Sequence, residues 1–223
     1  MKQPLTSFVD RQDLGDLYVE TLLREMEAYA AEHHVPIINE YGRGTFLGEV
    51  RKCRPHRVLE IGMAIGYSTL LIAANSAPDV QVTTLELSEE RAALAKSYIA
   101  RSPYADRIDV RRGDASVMLS QLQAEAAGPY DFVFIDAAKG QYVDYFHKIR
   151  PMLTPAAVVL ADNVLFRGYV RSEEKPPRRY KTIVKRLREY ITLVSAPPFA
   201  TEILEHGDGL AVTRRIMTHD KKA

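Results

Sequence analysis

The stretch Val58-Leu59-Glu60-Ile61-Gly62-Met63-Ala64-Ile65-Gly66-Tyr67-Ser68 decides the fold class of this chain. Its apolar beginning is typical of a buried strand, the glycines mark a turn, and a helix-length segment follows. Gly62 lies where a ligand can approach the backbone closely, because no Cβ stands in the way. Glycines with this spacing also occur where a strand and a helix simply pack tightly, so both interpretations stay open.

Strand-like runs alternate with helix-length segments from Pro55 onward. This alternation predicts a parallel sheet with right-handed crossovers. Near the end of the chain, two further runs flank His206-Gly207-Asp208-Gly209, a sequence that favours a hairpin. We therefore predict an α/β fold with a doubly wound, mostly parallel sheet and an antiparallel C-terminal hairpin. The seven predicted strands cover residues 57–61, 80–87, 108–112, 132–136, 157–161, 199–204 and 210–216.

Two helical segments precede the alternating part of the chain. Apolar residues recur at helical spacing over 14–31, and a second helix is predicted over 44–52. A chain of 223 residues with 46% hydrophobic composition can bury one sizeable core. We predict a single domain over 1–223, in which helices within 12–53 cap a core at 55–216.

The overall composition favours a soluble protein of the cytoplasm. The 30 Lys and Arg balance 29 Asp and Glu, so the net charge does not point to a polyanionic partner. The single cysteine, Cys53, cannot form an internal disulfide, which fits a reducing compartment. No run of 18 apolar residues occurs, so we expect no membrane partner.

Carboxylates stand at the ends of the second and third predicted strands. Glu86 is placed where a carboxylate can accept both hydroxyls of a ribose, or it is a solvated carboxylate at a helix start. Met63-Ala64 replace the second glycine that makes room for a pyrophosphate in dinucleotide folds, which favours a nucleoside without pyrophosphate. Asp114, next to Ala115, can accept from an adenine amino group or cap the next helix.

Asp136 ends the fourth predicted strand, and Asp162 and Asn163 end the fifth. Neighbouring strand ends converge on one crevice in such a sheet, and these oxygens suit Mg²⁺, with Mn²⁺ or Ca²⁺ as alternatives. No His or Cys stands at either strand end, which speaks against zinc. The three side chains could instead cap helices. Lys139 is a candidate to deprotonate a substrate hydroxyl, or it is a solvated charge.

Four motifs together carry a family resemblance. They are Glu60-Ile61-Gly62 with Gly66-Tyr67-Ser68, Phe134-Ile135-Asp136-Ala137-Ala138-Lys139, Asp162-Asn163-Val164-Leu165 and Gly207-Asp208-Gly209-Leu210. These motifs resemble the cation-dependent O-methyltransferases that include catechol and caffeoyl-CoA methyltransferases, over about residues 28–216. The resemblance implies a seven-stranded Rossmann-like sheet, a homodimer, S-adenosylmethionine as methyl donor and a divalent cation.

The same resemblance implies roles for individual residues. The cation is expected to bind Asp136, Asp162 and Asn163. From their positions in the sequence, and apart from the resemblance, the expected catalytic residues are Lys139 and Asp136. The residues expected to hold the donor are Ile38, Gly62, Ser68, Glu86, Asp114, Ala115 and Asp136.

A bacterial branch of this family, which methylates 5-hydroxyuridine at the tRNA wobble position to give 5-methoxyuridine, is similar at two further motifs. These are His33-His34-Val35-Pro36-Ile37 and Ala137-Ala138-Lys139-Gly140-Gln141-Tyr142. A catechol and a 5-hydroxyuracil both present two adjacent oxygens, so one cation can chelate either pair. In that branch the position of Ile38 usually carries Met and lies against the methionine part of the donor.

A cluster of basic residues follows the predicted metal ligands. Residues 167–188 contain nine Lys and Arg against two Glu, and part of this segment has the apolar stripe of a helix. Such a surface can track phosphates, although a solvated helix face or a site for coenzyme A phosphates would look the same. We therefore predict contact with the tRNA anticodon region. The residues expected to bind RNA are Arg167, Arg178, Arg179, Lys181 and Lys185.

Three other functions compete with a tRNA methyltransferase. The first is a small-molecule catechol or acyl-CoA O-methyltransferase. The second is a nicotinamide-dependent dehydrogenase, which the glycine turn and the lack of a Tyr-x-x-x-Lys pair after the fourth strand disfavour. The third is a catalytically silent RNA-binding or scaffold protein, against which the intact Asp136, Asp162 and Asn163 argue.

Overall fold

The computed structural model describes residues 11–205 and 207–216, and the side chains of all of these except residues 11–16, 40 and 41. The helices are α1 (Arg11–His33), α2 (Glu40–Cys53), α3 (Tyr67–Asn75), α4 (Glu89–Ala100), α5 (Ala115–Ala124), α6 (Tyr142–Ile149) and α7 (Lys181–Ser195). The strands are β1 (Arg57–Ile61), β2 (Gln81–Glu86), β3 (Ile108–Arg112), β4 (Tyr130–Ile135), β5 (Leu153–Ala161), β6 (Phe199–Leu204) and β7 (Leu210–Arg215). Short 3-10 helices lie at Ala105–Arg107, Lys139–Gln141, Arg150–Met152 and Arg178–Tyr180.

These strands form a seven-stranded sheet in the order β3-β2-β1-β4-β5-β7-β6. The first five strands in this order are parallel, whereas β7 runs antiparallel to both β5 and β6. The predicted fold class, a Rossmann-like α/β sheet that ends in an antiparallel hairpin, is confirmed. Gly207, Asp208 and Gly209 of the predicted turn connect β6 to β7, and His206 lies outside the described residues.

The sheet separates two clusters of buried side chains. Helices α1 to α4 pack on one face, which includes Val58 and Phe134, and helices α5 to α7 pack on the other, which includes Leu59 and Ile61. Successive residues of a strand point to opposite faces, so strands covered on both sides are apolar throughout. Among the described residues, no helix is both long and apolar enough to cross a membrane. The predicted domain over 1–223 extends beyond the described residues.

Some boundaries and faces differ from the prediction. β4 ends at Ile135, so Asp136 lies just beyond the sheet, and β5 begins at Leu153 rather than at residue 157. The early part of β5 was missed because its side chains are partly or fully exposed and lack an apolar pattern. In α1, Leu17 and Tyr18 of the predicted apolar face are exposed. The buried stripe of α1 consists of Val19, Leu22, Met26 and Ala30.

Candidate functional site

The turn between β1 and α3 has left-handed backbone at both glycines. Gly62 has φ of 92° and Gly66 has φ of 87°. A Cβ on Gly62 would overlap the backbone carbonyl oxygen of Asp136, and one on Gly66 would lie 3.2 Å from Ala95 Cβ. Glycine is therefore required here for its backbone conformation and for close packing.

This turn lines a cleft of about 410 Å³, which we call the donor cleft after the ligand that the sequence predicts. The structure places Ile38 outside this cleft, whereas Pro36 and Ile37 line it. The other residues expected to hold the donor all line the cleft. They are Gly62, Ser68, Glu86, Asp114, Ala115 and Asp136.

Glu86 has both carboxylate oxygens held by backbone donors. Oε2 accepts from the N–H of Ala64 at 2.9 Å, and Oε1 accepts from the N–H of Ser88 at 2.8 Å. These bonds link the end of β2 to the glycine turn and to the N-cap residue of α4. Glu86 is buried rather than a solvated helix-start carboxylate. Each oxygen has lone-pair capacity left for a hydroxyl donor in the cleft.

Ser68 is already bound to a carboxylate inside the protein. Its Oγ donates to Glu60 Oε1 at 2.5 Å, and the hydroxyls of Thr69 and Thr84 donate to the other oxygen of Glu60. Burial raises the pKa of Glu60 despite these three donors. Sequence reasoning treated Glu60 only as part of the strand, and the structure shows that it orients a residue of the donor cleft.

Asp114 both caps a helix and lines the donor cleft. Its Oδ1 accepts from the N–H of Val117 at 3.1 Å, as an N-cap of α5 does. The two interpretations of this residue are therefore compatible. Sequence reasoning missed other residues of the cleft, among them Arg91 of α4 and Tyr145 of α6. Tyr145 lies on the apolar stripe of an amphipathic helix, and such a position normally indicates core packing.

A smaller pocket of about 190 Å³ adjoins the donor cleft. Asp136, Asp162 and Asn163 all line this pocket, and we call it the metal-side pocket. Asp208 of the β6–β7 turn is a further carboxylate in its wall, and no Lys or Arg is among its described lining residues. Its apolar walls come from Pro36, Ile37, Ile38, Phe46, Phe134 and Leu210.

The environment of Asp162 disfavours its charged form. Burial and then the negative charge of Asp136 raise the pKa of Asp162 to about 6, against the lowering effect of the Asn163 N–H, which donates to its Oδ1 at 2.8 Å. Two carboxylates in the wall of one small pocket repel each other, and a divalent cation bound between them would offset this repulsion. The donor set thus fits a hard divalent ion.

Two features limit this fit. Asn163 turns its Nδ2 toward Asp162 Oδ2 at 3.1 Å, so its amide must rotate by half a turn to offer oxygen to a cation. In addition, the described part of the chain contains no cluster of three or more His, Cys, Asp and Glu side chains that could hold a metal. The predicted set has two carboxylates and one amide, so it needs additional ligands from a substrate or from water.

Lys139 lines the donor cleft and is not a solvated charge. Its side chain is 19% exposed, and Nζ lies 3.1 Å from Asp136 Oδ1. Tyr142 packs beneath it and donates its hydroxyl to the carbonyl oxygen of Asp162 at 3.0 Å. Burial raises the pKa of Tyr142 well above its usual value, so this hydroxyl stays protonated. The structure therefore places the ammonium group of Lys139 next to Asp136, the first predicted metal ligand.

The basic segment lies beside the site without forming its walls. None of the residues expected to bind RNA (Arg167, Arg178, Arg179, Lys181 and Lys185) lines the donor cleft or the metal-side pocket. Several side chains of this segment bind the protein itself. Arg188 donates to the carbonyl oxygens of Tyr169, Val170 and Ser172, and Arg171 pairs with Glu205.

The mostly parallel sheet, the glycine turn at the donor cleft and the adjoining acidic pocket are features of a Rossmann-like protein with two neighbouring cavities. The family model described as O-methyltransferase matches residues 16–216, and the chain belongs to this family.

Individual relatives agree with this assignment. A catechol O-methyltransferase from Niastella koreensis is 35% identical over 145 residues, which cover 64% of this chain and 66% of that protein. A caffeoyl-CoA O-methyltransferase from Arabidopsis thaliana is 28% identical over 204 residues, covering 87% of this chain and 78% of that protein. The solved O-methyltransferase from Bacillus cereus in complex with SAH is 30% identical, with a TM-score of 0.78, over 87% of this chain and 90% of that chain.

Proposed function

We propose that this protein is an S-adenosylmethionine-dependent O-methyltransferase whose acceptor is a small aromatic ring with two adjacent oxygens, as in a catechol. A divalent cation, Mg²⁺ before Mn²⁺ or Ca²⁺, is part of this proposal. The observation that carries it is the metal-side pocket, which joins the donor cleft at Asp136 and Asn163. The similarity to a catechol O-methyltransferase supports the same acceptor class.

The size and charge of the pocket select among acceptors. Its volume of about 190 Å³ lies below the roughly 300–1,000 Å³ of pockets for drug-sized ligands, so it suits one ring. The wall has three Asp and no described Lys or Arg. A neutral or cationic ring is therefore favoured over an anionic one.

The chain's own residues then have distinct tasks. Bound S-adenosylmethionine would supply the methyl group, and a divalent cation held by Asp136, Asp162 and Asn163 would lower the pKa of the acceptor hydroxyl so that it gives up its proton. Glu86 accepts the ribose hydroxyls with oxygens that Ala64 and Ser88 already orient. Phe46 and Phe134 enclose the ring and exclude water. Lys139 Nζ places its positive charge next to the developing oxyanion.

Wobble 5-hydroxyuridine of tRNA is the second candidate acceptor. Its base is also a single ring with adjacent oxygens, and the exposed Lys175, Arg178 and Lys181 have no ion-pair partner in the described part of the chain. These three unpaired side chains form a positively charged surface that can bind a polyanion, and they belong to the part of the chain that follows Asn163. A tRNA partner, a homodimer and a cytoplasmic location remain parts of this second proposal.

One experiment separates the candidates. Purified protein with radiolabelled S-adenosylmethionine is assayed on catechol, phenol, caffeoyl-CoA and hypomodified tRNA, each with Mg²⁺ and with a chelator. We expect transfer to catechol, none to phenol, and loss of transfer in the chelator. Transfer to tRNA alone would favour the second candidate, and equal transfer to phenol and catechol would contradict the chelation of adjacent oxygens.

A further inference from the structure

The connection between α1 and α2, residues 34–39, separates three cavities. Pro36 and Ile37 of this connection line the donor cleft, the metal-side pocket and a third cleft of about 520 Å³, which we call the outer cleft. A shift of the connection therefore changes the donor cleft and the metal-side pocket at the same time.

Arg43 lies in the outer cleft and joins the elements around this connection. Its Nη1 donates to Glu27 Oε1 at 2.6 Å and to the Tyr67 hydroxyl oxygen at 2.8 Å. The Tyr67 hydroxyl in turn donates to the same Glu27 oxygen at 2.5 Å. Glu27 belongs to α1, Arg43 to α2, and Tyr67 is the first residue of α3. The three side chains thus tie both helices that flank the connection to the glycine turn.

Tyr67 brings this network to the wall of the donor cleft. It stands between Gly66 and Ser68, it is 2% exposed, and it lines both the donor cleft and the outer cleft. Burial and the hydrogen bond to Glu27 raise the pKa of Tyr67 to about 12. The hydroxyl therefore stays protonated and keeps donating to Glu27. Arg43 does not line the donor cleft.

The network differs from an ordinary surface ion pair. Exposed pairs contribute little to stability because water solvates both charges. The Arg43 and Glu27 side chains are 34% and 37% exposed and share a buried phenol, whereas Arg24 and Glu20 on α1 form a simple pair that is 73% and 58% exposed. Among the described residues, loss of Arg43 leaves Glu27 and Tyr67 bonded only to each other at a partly buried site, whereas loss of Arg24 leaves a largely solvated Glu20.

We propose that Arg43 is a positioning residue for the methyl donor, because its bonds to Glu27 and Tyr67 hold the 34–39 connection against the donor cleft. The inference rests on the proposed function, since it assigns the donor to this cleft. Arg43 acts through Tyr67 and the connection, without touching the donor. Its contribution belongs to donor affinity more than to the chemistry at the metal-side pocket.

The test is calorimetric binding of S-adenosylhomocysteine to the full chain and to Arg43→Met, Arg43→Lys and Tyr67→Phe, with Arg24→Met as the matched control. We expect Arg43→Met to raise the Kd about tenfold, because it loses hydrogen bonds that involve charged groups. Arg43→Lys keeps the charge and restores part of the affinity. Tyr67→Phe removes only the hydroxyl. When it is combined with Arg43→Met, the Kd should rise by less than twofold relative to Arg43→Met alone.

Kinetics and melting separate positioning from mere stability. In Arg43→Met the donor KM should rise about tenfold while kcat at saturating donor changes less than threefold, and Arg24→Met should match the parent protein. Unchanged Kd values in Arg43→Met and Tyr67→Phe, with only a lower Tm, would overturn the inference and leave the proposed function intact. Failure of the parent protein to bind S-adenosylhomocysteine would reject the proposed function itself, and the inference with it.

Discussion

Gly62 packs so tightly against Asp136 that no side chain fits between them. A Cβ on Gly62 would overlap the backbone carbonyl oxygen of Asp136 and lie 3.2 Å from Ala137 Cβ. The N–H of Asp136 also donates to the carbonyl oxygen of Ile61 at 3.0 Å, which holds the two strand ends together. A displacement of the glycine turn in the donor cleft must therefore also displace Asp136, the first predicted metal ligand.

This contact predicts the effect of Gly62→Ala. The substitution forces a left-handed alanine and an overlap with backbone, so we expect a loss of about 2 kcal/mol or more in the free energy of unfolding. Asp136 must move, so the binding of S-adenosylhomocysteine and methyl transfer should both fall below detection. Urea unfolding and calorimetry measure these effects. Gly44→Ala is the matched control, because nothing lies within 4 Å of its added Cβ and alanine favours the helix by up to about 1 kcal/mol.

Asp162 lines the metal-side pocket and not the donor cleft. We therefore expect Asp162→Ala to abolish Mg²⁺-stimulated methyl transfer and to leave the Kd of S-adenosylhomocysteine within about threefold of the parent value. Steady-state assays across Mg²⁺ concentrations, together with calorimetry, check both parts. Asp79→Ala, which removes an exposed carboxylate paired with His56, should leave both quantities unchanged. Turnover that survives in Asp162→Ala would refute the metal role.

The sequence predicted the sheet because strand-like runs alternate with helix-length segments, and because the central strands β1, β4 and β5 carry buried, largely apolar stretches. It also located residues of both cavities, since ligand contacts in a doubly wound sheet collect at the carboxyl ends of parallel strands. Glu86 and Asp136 line the donor cleft, and Asp136 and Asp162 line the metal-side pocket. The resemblance was less informative about connections: it suggested Ile38 as a contact of the donor, whereas Ile37 lines the donor cleft and Ile38 lines the metal-side pocket. The direction of a side chain in an irregular segment depends on tertiary packing, which no local pattern encodes.

Long-range polar contacts were the other feature that sequence patterns could not supply. Glu60 receives hydroxyls from Ser68, Thr69 and Thr84, and the last of these comes from the neighbouring strand. Sequence patterns were equally uninformative about contacts in the basic segment. A count of charges does not reveal that Arg188 donates hydrogen bonds to backbone carbonyl oxygens. Composition gives the sign of a surface, and only the fold shows which charges are free.

The buried Glu60 predicts a dependence of stability on pH. Burial raises the pKa of this carboxyl in the folded protein, so the folded state prefers its protonated form. The stabilising contribution of Glu60 to the free energy of unfolding is fully present below the pKa that this carboxyl has in the unfolded chain. This contribution is lost as the pH rises through the pKa that Glu60 has in the folded protein. Glu60→Gln, which mimics the neutral form, should therefore gain stability relative to the parent protein as the pH rises from 4 to 7. Urea unfolding of both proteins at each pH measures the difference, and a constant or opposite trend would show that the three hydroxyl donors outweigh burial.

The β6–β7 turn predicts a second glycine substitution that damages catalysis more than donor binding. A Cβ on Gly209, whose φ is 81°, would overlap the side chain of Leu165, two residues after Asn163. The turn is also bonded to this segment, because the N–H groups of Val164 and Leu165 donate to the carbonyl oxygens of Gly209 and Asp208 at 3.0 and 2.8 Å.

Gly209→Ala must therefore displace the segment that carries Asn163 while it leaves the glycine turn of β1 in place. We expect kcat to fall by about tenfold or more and the Mg²⁺ concentration for half-maximal activity to rise, since a small displacement of a metal ligand is enough to misplace the acceptor. The Kd of S-adenosylhomocysteine should rise by a smaller factor than kcat falls, because Asn163 lines the donor cleft but neither Gly209 nor Leu165 does. Gly48→Ala, with nothing within 4 Å of its added Cβ, is the control. A loss of donor affinity as large as the loss of kcat would contradict this prediction and would mean that the two cavities, which share Asp136 and Asn163, respond to the turn as one site.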